Sequence, residues 1–176
     1  MIKIVIPLLL LLVFSNVNAK QTINMAFGFE LGAMFESESW EHEKGRMGSF
    51  KPANPYPPLV FYDVLLTRTS HLIYQISAES FGMKNDECIR QKEALVSLLQ
   101  KKYGQATYMG RSKNAEIKQN DTSVSVYCLS GLSDGVSILR VVYLDRSTKS
   151  KTYQEYRVEQ KLKHKELLQD KDTSGL

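Results

Sequence analysis

Asn85-Asp86-Glu87-Cys88-Ile89-Arg90-Gln91-Lys92-Glu93-Ala94-Leu95-Val96-Ser97-Leu98-Leu99-Gln100-Lys101-Lys102-Tyr103-Gly104 is the internal stretch whose apolar residues recur convincingly at helical intervals. Cys88, Ile89, Leu95, Val96, Leu99 and Tyr103 fall at three- and four-residue spacings, the stripe of a helix that buries one face. Asp86 and Glu87 at the start and Lys101-Lys102 at the end suit the helix dipole, and Gly104 is placed to stop the helix. On both sides the apolar period shortens to two, which is the mark of strands.

Downstream of the helix, residues 106–111, 115–119, 123–129 and 136–144 read as four strands, separated by turn chemistry at Asn120-Asp121-Thr122 and at residues 131–135. Upstream, residues 59–67 and 71–80 are rich in β-branched and aromatic side chains, and Arg68-Thr69-Ser70 between them reads as a hairpin turn. Earlier still, Ile23, Met25, Phe27, Phe29 and Leu31 alternate with Asn24, Ala26, Gly28 and Glu30, which predicts one half-buried strand. Residues 34–44 predict a short polar helix, and the glycines and prolines of residues 45–58 predict an irregular connection with a short strand near residues 47–51. The order of elements gives an α+β class: a mainly antiparallel sheet packed by one internal helix, with a charged C-terminal helix. That last helix covers residues 147–176, with a packed edge at Tyr153 and Tyr156 and a solvated remainder that includes Leu162, Leu167 and Leu168. No internal repeat of fixed period is present.

The amino end has a different character. One cation at Lys3, the apolar run of residues 4–14 and the small, polar close Ser15-Asn16-Val17-Asn18-Ala19 form the three-part layout of a secretory signal peptide, with cleavage between Ala19 and Lys20. An apolar run this short does not reach the roughly 20 helical residues that a bilayer requires, so no stable membrane anchor is expected after cleavage. The expected organisation is a cleaved leader at residues 1–19, one globular domain at residues 20–146, and the charged tail. In an oxidising compartment the two cysteines, Cys88 and Cys128, read as one disulfide, and the strand alternation turns Cys128 to the same side as Val124 and Val126. Neither cysteine has the Cys-x-x-Cys spacing or the adjacent histidine of a reactive thiol, and Lys20 stands where a lipoprotein would need a cysteine. In layout, though in no motif, the chain resembles many small exported bacterial proteins, which implies the periplasm or secretion.

Composition and motifs exclude more than they assign. Without Lys3, one of 23 Lys and Arg side chains, the mature chain carries 22 cations against 19 acids, too even a balance to imply a nucleic-acid partner. Glu30, Glu36, Glu38, Glu41 and Glu43 form an acidic stretch, and Lys101, Lys102, Arg111, Lys113 and Lys118 a basic one, both read as solvated faces. His164 lies between two lysines and His71 follows a turn; Glu38 and His42 share a spacing of four but lack a further ligand, so no metal or cofactor is expected. Glu30 and Asp63 are acids within apolar strands and would make a hydrolytic pair only if both faced one cleft. No Gly-x-Ser-x-Gly and no phosphate loop is present, so no catalytic residue is assigned. The segment of residues 51–58, with Tyr56 in it and Trp40 before it, reads as a rigid connection, and as a sugar platform or polyproline ligand only secondarily. Asn120-Asp121-Thr122 fits the N-glycosylation triplet but lies in a turn, where composition alone produces it. The expected function is a non-enzymatic binding or accessory protein that meets an envelope or secreted protein through its open sheet face or charged ends. The alternatives are an envelope-directed hydrolase and an inhibitor of a secreted enzyme.

Overall fold

The computed structural model describes residues 20–35, 47–110, 114–130 and 135–173. Strands β1 (Met25–Ala26) and β2 (Phe29–Glu30) form a small hairpin of their own. β3 (Met47–Ser49), β4 (Leu59–Leu66), β5 (Ile73–Lys84), β6 (Thr107–Met109), β7 (Asn114–Gln119), β8 (Thr122–Ser130) and β9 (Val136–Asp145) join in one seven-stranded sheet of order β3-β4-β5-β9-β8-β7-β6. Every pairing in it is antiparallel. Helix α1 (Asn85–Tyr103) follows β5 without a loop, and α2 (Arg146–Thr173) follows β9 in the same way. The protein is therefore α+β, with α1 packed on a mainly antiparallel sheet and a C-terminal helix.

Period two arranges the core in cross-strand rows. Tyr62, Ala78, Val141, Val126 and Ala115 face one another across five strands, and Val64, Ile76, Tyr143, Val124 and Ile117 form the next row. All ten are buried, so one face of the sheet is continuously apolar. Over this face α1 lays Cys88, Leu95, Val96, Leu99 and Tyr103. Cys88 and Cys128 are bonded, with their Cα atoms 6.1 Å apart, so the first turn of α1 is tied to β8. Ile89, counted with the apolar stripe on spacing, is exposed, and Lys92 takes a place on the buried side. Spacing marks the stripe, but the position of the sheet below it decides which edge of the stripe is covered.

The remainder of the apolar face is capped by the amino-terminal segment, and here the single strand expected over residues 23–31 is corrected. The chain reverses at Phe27-Gly28, both at positive φ (53° and 95°), and Ala26 pairs with Phe29. Two successive left-handed residues make the tight turn that fits a twisted hairpin, and Gly28 takes its position without strain. The turn brings Phe27 against Tyr62 and Tyr143, at centroid separations of 5.0 and 5.9 Å, while Phe29 meets Phe35 and Phe50. Gly48 makes room for this cluster, because a Cβ there would lie 2.6 Å from the Phe35 ring. The expected helix over residues 34–44 is not formed at its start, where Met34 bridges Leu72 and the Phe35 amide donates to the His71 carbonyl. The rest of that segment, with Glu38, Trp40 and His42, lies outside the described residues, as do residues 1–19.

α2 begins on Asp145, whose Oδ1 accepts from the Thr148 amide at 3.1 Å and from the Ser147 hydroxyl, while Oδ2 accepts from the Thr148 hydroxyl. This is an aspartate N-cap of the kind that satisfies the free amides of a first turn. Burial pushes the Asp145 carboxyl up, but the bonds from Thr148 and Ser147 outweigh it and hold the group below its usual range. The packed edge expected at Tyr153 and Tyr156 is also corrected. Both are exposed, and the side chains turned inward from the helix are Thr148, Thr152, Glu155 and Glu159. Glu155 and Glu159 are received by the turn at residues 68–70, whose donors are polar, and Tyr156 meets it only through the Arg68 guanidinium over its ring.

Candidate interaction surface

The opposite face of the sheet carries what the alternation leaves over. Ser49, Asp63, Ser77, Val142, Ser125 and Glu116 form one row, and Phe61, Glu79, Arg140 and Tyr127 the next. Arg140 Nε lies 2.9 Å from Glu79 Oε1 at the centre of this second row. The Tyr127 hydroxyl beside the pair is pushed up by burial, with Arg140 lowering it and Glu79 raising it. Glu116, in the first row, is buried under Arg146 and Lys118, whose nitrogens lie 2.9 and 3.0 Å from its oxygens.

Two bulges side by side change the end of this face. Between the pairs Glu79-Arg140 and Gly82-Ile138, β5 carries Ser80 and Phe81 where β9 carries Leu139 alone. The Leu139 amide donates to Ser80 Oγ at 3.0 Å, and Ser80 stays buried. Phe81, next to it, points outward and is 65% exposed. β4 is irregular at the same level, between Leu59 and Phe61, and shows Val60 and Phe61 at the surface. Phe61 and Phe81 meet edge to face with centroids 5.1 Å apart. Phe61 shares the row of Glu79, and Phe81 follows Glu79 by two with Ser80 buried between them, so alternation puts both rings on the open face, beside the two bulges.

Val60 also lines a concavity of about 490 Å³ formed with Phe50, Pro52, Pro55, Pro58 and Tyr62. The connection that walls it is held by Tyr62, whose hydroxyl accepts from the Tyr56 amide at 3.1 Å and donates to the Leu59 carbonyl at 2.9 Å. An apolar hollow of this size is large enough to receive a side chain of a partner, and its lining of Tyr62 and Phe50 puts it at the edge of the capped face, joined to the exposed surface by Val60. Leu129 and Ile138, paired across β8 and β9, extend the apolar surface on its other side.

The sequence singled out Glu30 and Asp63 as a conditional pair, and the fold does not bring them to one cleft. Asp63 lies on the open face and accepts from Ser49 Oγ at 2.8 Å, whereas Glu30 belongs to the hairpin that caps the opposite face. Lys20 lies at the start of the described chain, beside Gly104. Asn120 and Asp121 form the turn between β7 and β8, with Asn120 at positive φ. Among the described residues no group of three or more His, Cys, Asp or Glu side chains could hold a metal ion, and no helix is long and apolar enough to cross a membrane. Sequence reasoning missed the Phe61-Phe81 pair, because each phenylalanine falls within a run that reads as core. The chain matches no family model, no curated protein and no solved structure.

Proposed function

We propose that this chain is an exported, non-enzymatic binding or accessory protein of the bacterial cell envelope that meets another protein through the open face of its sheet. The observation that carries the reading is the Phe61-Phe81 pair, exposed on the open face next to two bulges. Monomeric surfaces rarely gather large apolar side chains in one place unless something covers them. The Glu79-Arg140 pair and Tyr127 beside them supply the polar groups that fix register in such an interface. Export is supported by the layout of residues 1–19 and by the Cys88-Cys128 bond, which an oxidising compartment preserves.

The test places a photo-crosslinking aromatic residue at position 81 and, as a control, at position 153, in the chain expressed with its own leader. The expected result is one defined adduct in the envelope fraction from position 81, lost when Phe61→Asp is added, and none from position 153. Equal labelling from both positions, or adducts indifferent to Phe61→Asp, removes the open face as the interface. Mass spectrometry of the same material checks export, by loss of residues 1–19 and by a mass two hydrogens below the reduced form. Release of fragments from peptidoglycan by the purified protein would replace the binding reading with the hydrolase.

A further inference from the structure

The turn between β4 and β5 gathers five donors within three residues. The Thr69 amide donates to Glu155 Oε2 at 2.7 Å, and the Ser70 amide and hydroxyl both donate to Glu155 Oε1. The Arg68 guanidinium pairs through Nε with one oxygen of Glu159 and reaches the other through Nη2 at 3.4 Å, while it lies 5.1 Å from the Tyr156 ring centroid. Two carboxylates four residues apart on one helix are thus read by one short segment. Charge-assisted bonds from backbone amides and a guanidinium are the strong kind of hydrogen bond, and their positions here fix a spacing as well as a charge.

The helix that supplies these carboxylates fits the rest of its seat poorly. Tyr153, Val158 and Leu162 are exposed, and the Thr152 hydroxyl is buried with no hydrogen-bond partner. Among the described side chains of α2, the others turned to the domain are polar, Arg146 on Glu116 and the buried Thr148, apart from Tyr156 over Arg68, so at the turn the occupant is held by groups that a competitor can reproduce.

We propose that Arg68-Thr69-Ser70 is a receptor for a helix bearing Glu-x-x-x-Glu, filled in this structure by the chain's own α2 and open to an acidic helix of a partner protein carrying the same spacing. The receptor is distinct from the open sheet face and does not depend on its being an interface. Its specificity lies in the pair: a single carboxylate engages either the turn amides or Arg68, and only the i, i+4 pair engages both.

The test uses the full chain with Glu155→Ala and Glu159→Ala, and a synthetic peptide of residues 151–166 added in trans, with the Thr69 and Ser70 amide resonances as the readout. The peptide is expected to shift both resonances saturably at millimolar concentration, because a free helix of this length is only marginally formed. A peptide with Glu155→Gln and Glu159→Gln is expected to bind at least about tenfold more weakly. The unaltered chain, whose receptor holds α2, should respond only at higher peptide concentration, as expected of a competitor that displaces α2. The proposal is overturned if no saturable shift appears, or if the glutamine peptide binds as well as the acidic one. It is equally overturned if the double variant disturbs the Leu99 methyl resonances under α1, since α2 would then be part of the core and not a replaceable occupant. A dimer of the unaltered chain that exchanges α2 would assign the receptor to a second copy in place of a partner protein.

Discussion

The two helices differ in how they belong to the domain. α1 has 19 residues and lies on the sheet through Leu95, Val96, Leu99 and Tyr103, with Cys88 bonded covalently to β8. α2 has 28 residues, yet the contacts of its side chains are polar: the cap at Asp145 with Thr148, the Arg146-Glu116 pair, and Glu155, Glu159 and Tyr156 at one turn. Length and helical content therefore say little about attachment. Apolar burial and a disulfide hold over a wide range of pH and salt, whereas exposed carboxylates release when protonated or screened.

Changes ordered by size should keep the two helices apart. Cys128→Ser removes a crosslink between residues 40 apart and is expected to cost about 4 kcal/mol, read as a lower denaturation midpoint for the whole domain. Leu99→Ala, beneath α1, should cost about 3 kcal/mol in the same measurement, with α2 unfolding together with the core. Glu155→Ala should cost about 1 kcal/mol of global stability, because at a partly exposed turn water replaces the hydrogen bonds that are lost. It should nevertheless raise the amide exchange rates of α2 while leaving those of α1 unchanged. If Glu155→Ala destabilises the core as much as Leu99→Ala, the contrast between the helices fails.

Acid is the gentlest probe. Burial raises the Glu155 carboxyl, but the bonds from Ser70 and from the Thr69, Ser70 and Arg68 backbones outweigh it and hold the group below its usual range. Asp145 is depressed as well. Groups with lowered folded values contribute fully above the unfolded value of about 4 and lose that contribution as pH falls through the folded value. Hydrogen exchange followed downward from neutral pH should therefore show α2 opening in acid while α1 stays protected. Protection lost from both helices at one pH would mean that α2 is held by more than its carboxylates.

The parts legible in the sequence are those in which one period suffices. β7, β8 and β9 lie within one or two residues of their expected bounds, because each alternation is uninterrupted and bounded by turn residues. The amino-terminal hairpin was not legible, since Ile23 to Leu31 alternates identically whether the chain runs straight or reverses at Phe27-Gly28, and a phenylalanine at positive φ gives no local signal. The exposed phenylalanines were hidden for another reason: each falls in an apolar run that reads as core, although Phe61 shares its side with Asp63 and Phe81 with Glu79, and only the pairing of β4 with β5 brings the two together. For α2, a helix of lysines and glutamates has the same composition whether its glutamates face water or the Ser70 hydroxyl. The disulfide was legible because two cysteines allow one intramolecular pairing.

The junction at Asp145 has a mechanical consequence. β9 ends on the residue that caps α2, so no flexible spacer separates sheet from helix. A helix of 28 residues is about 42 Å long. Pivoting about that cap by roughly 10° would carry the far end on the order of 7 Å, about twice the reach of a hydrogen bond. The turn at residues 68–70 grips the helix at Glu155 and Glu159, within its first half, so small motion at the grip becomes large displacement at the tip, and α2 has the proportions of a lever.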